Sequence, residues 1–196
     1  MNKIIKTAFL AMALMPYTLQ AQSLKDLFLH MPMEVCPALT EYNRLELVDN
    51  QKNGKEMRTR NAFQTYSTMQ SLTDDYAHLS VSDSSEKVIK LLTKTDSIPI
   101  IMIISTVFCD SIPDSSVSFY STEWQPLDAT AYISEPTSEE FRYIVLNPEN
   151  DTLTITISNP LALQTNGSDK PAEQTSVSHT LQWNGTSFLK QNDKEQ

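Results

Sequence analysis

The feature that most constrains the fold is the run Ile100-Ile101-Met102-Ile103-Ile104, set inside the longer segment Pro99 to Phe108. A half-buried strand alternates apolar and polar residues, whereas a run apolar at every position reads as a strand buried on both faces. Such a strand is expected at the centre of its sheet.

Its neighbours read as strands of the simpler kind. From Tyr76 the period is two, with Ala77, Leu79 and Val81 alternating with polar residues. Asp83-Ser84-Ser85 turns the chain, and Val88 to Leu92 returns as the second arm of a hairpin. Cys109 to Ser115, with Asp110, Pro113 and Asp114, reads as a loop, after which Val117, Phe119 and Ser121 alternate with polar residues. Four strands are therefore expected between Tyr76 and Thr122. From Lys55 to Leu72 neither period is clean, and extended structure is the better fit.

Helices are expected only ahead of these strands and once after them. Ser23 and Asp26 have the spacing of a capping box, and Leu24, Leu27, Phe28 and Met31 recur at helical spacing up to Pro32. A second helix is predicted from Ala38 to Gln51, with Leu39, Tyr42, Leu45 and Val48 on its apolar stripe and Asn53-Gly54 as its stop. Asp49 to Gly54 superficially has the look of a calcium loop, but its twelfth position is Arg60 where glutamate is needed, so the C-cap reading prevails.

In the last third, Ser138 to Leu146 is expected to form a short helix, and Pro148 to Asp151 a turn. Leu153, Ile155 and Ile157 then alternate with threonines. Gln164 to Ser176 reads as a polar loop or flap. Val177 to Trp183 and Thr186 to Lys190 form a hairpin closed by Asn184-Gly185, a pair suited to a type I′ turn. The fold class expected is α+β, N-terminal helices packed on antiparallel β-sheet. Both halves run helix then strands, which admits a degenerate tandem helix-plus-strands repeat.

The ends add a compartment. Lys3 and Lys6, the apolar run Thr7 to Met15, and Leu19-Gln20-Ala21 follow the charged, apolar and small-residue order of a secretory signal peptide over residues 1–21. Nine apolar residues are too few to span a bilayer, which takes roughly 20. The division expected is a leader at 1–21, a helical and four-stranded unit at 22–127, and a smaller helix-plus-strands unit at 128–196, in the same domain or a second one. The destination is the periplasm or outer surface. Removing the leader takes the formal charge from −9 to −11. The longest basic patch is Arg58-Thr59-Arg60, so nucleic acid is not an expected partner.

Motifs carrying chemistry are scarce. His30, His78 and His179 stand at no metal or catalytic spacing from one another. With Gly54, Gly167 and Gly185 as the only glycines, neither a nucleophile elbow nor a phosphate-cradling loop can be written. No catalytic residue, cofactor or metal is implied. Cys36 and Cys109 could pair in an oxidising compartment, or both could be buried thiols acting as small hydrophobes. Trp124 and Trp183, with Tyr120 and Phe188, are expected to pack over core edges in preference to forming a recognition surface.

Several stretches together resemble a family of exported Bacteroidales proteins of unknown function. They are Phe28-x-x-Met31-Pro32; Asn43-Arg44-Leu45 with Val48-Asp49 and Gly54; Leu72-Thr73-Asp74-Asp75-Tyr76; and Phe119-Tyr120-x-x-x-Trp124-x-Pro126-Leu127. The resemblance spans most of residues 24 to 127 and implies a compartment without transferring an activity. Asp96-Ser97-Ile98, Asp110-Ser111-Ile112 and Asp151-Thr152-Leu153 further resemble the short acceptor sequence at which Bacteroidetes O-glycosylate exported proteins, which makes Ser97, Ser111 and Thr152 candidate sites. The leading expectation is a non-catalytic binding or accessory module whose acidic loops meet an envelope protein or a glycan. The rival is a hydrolase-type enzyme gathering scattered Ser, Asp and His residues, or a structural part of an envelope assembly.

Overall fold

The computed structural model describes residues 23–96, 98–109, 112–133, 141–158 and 176–190. The expected signal segment at 1–21, residues 164–175 of the expected loop or flap, and the expected tail at 191–196 lie outside the described residues.

Helix α1 spans Leu24–Leu29, and the Ser23 side chain caps it by accepting from the Asp26 backbone N–H at 3.2 Å. Leu24, Leu27, Phe28 and Met31 are buried, as their spacing predicts. Helix α2 spans Glu41–Lys52 and begins later than expected, because Thr40 and Asn43 form a reciprocal capping box there. Its predicted apolar stripe holds only in part: Leu39 and Val48 are buried, Tyr42 and Leu45 are not. Tyr42 is 73% and Leu45 46% exposed, while Asn43, Arg44, Leu47 and Val48 face inward. Arg44 turns in because its guanidinium donates to the carbonyls of Leu39 (2.6 Å) and Leu29 (3.3 Å). Asn43 turns in because its amide donates to Thr59 Oγ1 (2.9 Å) and the Arg60 carbonyl (3.0 Å). Asn53 and Gly54, the latter at φ +63°, end the helix as a C-cap.

The strands form two antiparallel sheets. The first has seven, in sequence order: β1 Arg58–Arg60, β2 Tyr66–Leu72, β3 Tyr76–Ser82, β4 Ser85–Leu92, β5 Ile100–Cys109, β6 Ile112–Tyr120 and β7 Pro126–Leu127. The second has four, β8 Phe141–Asn147, β9 Thr152–Ser158, β10 Ser176–Trp183 and β11 Phe188–Lys190, again in sequence order. The connections that are described are too short for crossover helices.

Strand β5 lies inside the first sheet and is buried on both faces. Ile101 and Ile103 join the core beneath the two helices, while Ile100, Met102 and Ile104 join the core shared with the second sheet. The chain is thus three layers, helices over a seven-stranded sheet over a four-stranded sheet. The change of sheet falls between Leu127 and Phe141, yet one apolar core joins residues from both sides of it.

Four local expectations need correction. Phe141–Asn147 is strand β8, not helix, because Ile144 and Leu146 pair across from Ile155 and Leu153 and bury the same face. Losing that helix removes the shared order behind a tandem repeat; among the described residues the second half has only a 3₁₀ turn, Ala129–Ala131. Ile112 to Ser115 is strand, since Cys109 already pairs with Ile112. Four residues, not two, separate the paired Trp183 and Phe188, and the Asn184 side chain organises them by accepting from the N–H groups of Thr186 and Ser187.

Candidate functional site

The predicted chemistry-bearing residues are dispersed. His30 Nδ1 lies 2.8 Å from the Asp26 carbonyl within its own helix turn, and His179 sits on β10 opposite Ile155. His78 Nε2 lies 3.2 Å from Glu86 Oε2 across β3 and β4, the one histidine placed against a carboxylate among the described residues. Among the described residues no three His, Cys, Asp or Glu side chains group as metal ligands, and no helix is long and apolar enough to cross a membrane.

Both cysteines are free, so the pairing left open in the sequence is not formed here. Cys36 is in the helix-side core, where burial pushes its thiol pKa up despite the charge of nearby Lys87. Cys109 is exposed at the end of β5. Ser97 and Ser111 lie outside the described residues. Thr152 opens β9, half-buried, with its hydroxyl donating to Gln182 Oε1 at 2.8 Å. The tryptophans pack as expected, in separate cores: Trp124 on Tyr120 at 5.7 Å, Trp183 on Phe188 at 5.1 Å.

Of the loop carboxylates expected to present an acidic surface, three are held by their own turns and remain exposed. Asp96 accepts from the Ile98 N–H and from Lys94, Glu123 from Ser121 and Thr122, and Asp128 from Thr130; these bonds hold all three pKa values below the ordinary carboxylate range. Asp75 and Asp151 serve a buried lysine. Lys90, on β4, places its ammonium 2.7 Å from Asp75, 3.0 Å from Asp151 and 3.0 Å from the Pro148 carbonyl, bolting the first sheet to the β8–β9 turn.

A second junction between the sheets leaves a shallow recess of about 400 Å³ lined by Lys94, Thr95, Asp96, Tyr132, Gly185 and Thr186. Its walls are held together by the Thr95 N–H on the Gly185 carbonyl at 2.9 Å and, behind them, Trp183 Nε1–H on the Thr93 carbonyl at 2.9 Å.

Among the described residues, the β1–β2 hairpin groups several exposed recognition-type side chains. In its register Arg58 faces Thr68 and Arg60 faces Tyr66, which sets all four on one side, while Thr59, Ser67 and Met69 point into the molecule. Arg58 stacks 4.0 Å from the centre of the Tyr66 ring, Tyr66 as a residue is still 54% exposed, and Phe63 at the hairpin tip is 65% exposed. The tip is rigid by construction. Asn61 is buried, donates to Thr65, Ser67 and the Val81 carbonyl, and accepts from the N–H groups of Phe63 and Thr65. As a sequence motif Arg58-Thr59-Arg60 serves only to set nucleic acid aside; the signal that locates this face is the inward alternation of Thr59, which puts both arginines outward beside Tyr66.

A family model described as a protein of unknown function (DUF3256) matches residues 17–145. None of the curated proteins matches the chain. Among solved structures, a domain of an uncharacterized protein from Porphyromonas gingivalis W83 is similar in fold, with a TM-score of 0.70 at 20% identity over 86% of this chain and 97% of that one.

Proposed function

Since the chain belongs to the DUF3256 family of proteins of unknown function, a membership that brings no reaction with it, we propose that it is an exported, non-catalytic binding module of the cell envelope. It meets its partner through the outer face of the β1–β2 hairpin. The observation that carries this reading is the exposure of Arg58, Arg60, Phe63 and Tyr66 on a hairpin stiffened by a buried asparagine. Tyrosine and arginine dominate binding hot spots, and a pre-ordered surface loses little entropy on association. The buried polar side chains Asn43, Arg44, Asn61 and Lys90 support it from the other side, because each is occupied in holding the fold.

The test expresses the chain with its own leader in a native host and recovers the envelope fraction. Export predicts a mature mass beginning at Gln22, with any excess mass at Ser97, Ser111 or Thr152 marking glycosylation. Affinity capture with the parent and with an Arg58→Ala/Tyr66→Ala variant should retain a partner only for the parent. Equal recovery by both would overturn the hairpin reading. A hydrolytic activity lost on His78→Ala would overturn the non-catalytic one.

A further inference from the structure

We propose that the hairpin's occupant is an anionic polysaccharide, a chain of sugar units bearing carboxylate or sulfate groups; this rests on the binding reading above and names its ligand. Charge gives the first argument. The chain carries a formal −9, yet residues 57–73 contain Arg58 and Arg60 and no acid at all. A polyanion repelled by the rest of the surface is therefore admitted at this hairpin. Debye screening confines that attraction to about 8 Å at physiological salt, so local charge outweighs net charge at contact distance. Among the described residues the carboxylate bonded to the hairpin, Glu46 of α2, is taken up on the inward side by the buried Thr59 hydroxyl.

The chemistry of the face gives the second. An arginine stacked on a ring keeps its in-plane N–H edge free, and that edge matches carboxylate or sulfate oxygens in bidentate fashion. Strand rise sets Arg58 and Arg60 roughly 7 Å apart, so successive charged units of a polymer can engage both. Between and beside them stand the exposed Tyr66 and Phe63 rings, which suit the apolar faces of sugar rings, and Gln64 and Thr68, whose amide and hydroxyl groups suit sugar hydroxyls.

The third argument disfavours a peptide. β1 is the edge strand, and an edge invites a peptide to pair with it. Here the Arg60 carbonyl already accepts from Asn43 at 3.0 Å and the Arg58 carbonyl from Asn50 at 3.5 Å. Helix α2 thus occupies the backbone positions a peptide strand would need, and recognition is left to the side chains of the outer face.

The test uses the full mature chain in affinity electrophoresis against polygalacturonate, dextran sulfate, neutral dextran and poly-L-glutamate. Retardation is expected with the carboxylated or the sulfated polysaccharide, the stronger of the two identifying the charged group, and not with neutral dextran. Arg58→Ala/Arg60→Ala should weaken binding at least tenfold, Tyr66→Ala severalfold and Tyr66→Phe little, with unchanged melting temperatures because these side chains are exposed. Lys52→Ala/Lys55→Ala, which removes equal charge elsewhere, should leave binding unchanged. Equal loss in that control, poly-L-glutamate bound as tightly as either polysaccharide, or no retardation by any anionic polysaccharide would overturn the proposal. If the last occurs while the Arg58→Ala/Tyr66→Ala variant still fails to capture the native partner, the saccharide assignment falls and the hairpin reading stands.

Discussion

Replacing Lys90 by methionine should separate the two sheets energetically without disturbing either. The Lys90 side chain is 4% exposed and its ammonium holds two carboxylates and a turn carbonyl across the junction. Removing one partner of a fully buried ion pair costs roughly 3–5 kcal/mol. Here the carboxylates are partly wet, Asp75 at 56% and Asp151 at 31% exposure, and rehydrate when the lysine goes. The loss expected is therefore about 2 kcal/mol, most of it from the orphaned Pro148 carbonyl and the inner Asp151 oxygen. For a chain of this size that lowers the melting temperature by roughly 4–8 °C. Lys87→Met is the matched control. Lys87 donates to the Ser105 hydroxyl at 2.6 Å, burial lowers its pKa, and no ion pair among the described residues involves it, so its removal should change stability by less than about 0.5 kcal/mol. Burial alone would lower the Lys90 pKa, but its bonds to Asp75 and Asp151 and their charges raise it above 10.5. A raised amine contributes stability that is complete below 10.5 and is lost as pH climbs through the folded value. The parent should thus lose stability in the alkaline range, and Lys90→Met should lose less. Urea melts of the parent and both variants from neutral to alkaline pH measure this. A Lys90→Met variant as stable as the parent, or a Lys87→Met variant as damaged as Lys90→Met, would refute the reasoning.

Gly185→Ala should cost about 1–3 kcal/mol in a urea melt, because φ is +91° and the new Cβ would lie 2.6 Å from Thr95 Oγ1. Trp183→Phe keeps the ring packing but leaves the Thr93 carbonyl without its 2.9 Å donor, for an expected loss of about 1–2 kcal/mol by the same assay. Asn43→Ala removes the Asn43 side-chain half of the capping box and the bonds to Thr59 and Arg60 together, with roughly 2–3 kcal/mol lost and faster hydrogen exchange at the start of α2 and in β1. Asp75 has a folded pKa below 3.8: burial opposes this, but the bonds from Lys90 and Thr73 and the lysine's charge outweigh it. Its share of stability is present above the unfolded value and fades as pH falls through the folded one, so Asp75→Asn should flatten the acid limb of the stability curve.

The exposed face of the β1–β2 hairpin was only half legible. Arg58 and Arg60 stand in the sequence as its longest basic patch, but the ambiguous period of residues 55–72 hid the strand that turns both outward. Tyr66 joins them through cross-strand register, and Asn61 stiffens the tip by reaching as far as the Val81 carbonyl. Neither relation is a property of any short window of residues.

The sequence by itself determined the meander from β3 to β6, the doubly buried β5, and the caps of α1 and the end of α2. These rest on side-chain period and on bonds closed within a few residues, where backbone geometry fixes the distances in advance. Tertiary structure alone decided the inward face of α2, the strand at Phe141–Asn147 and the joining of the two sheets. An Asn43, an Arg44 or a Lys90 is driven inward by acceptors as far as 17, 15 and 61 residues away. Residue type announces the need for a partner when buried; only the folded chain supplies one, since an unpaired polar group would cost more than its burial returns.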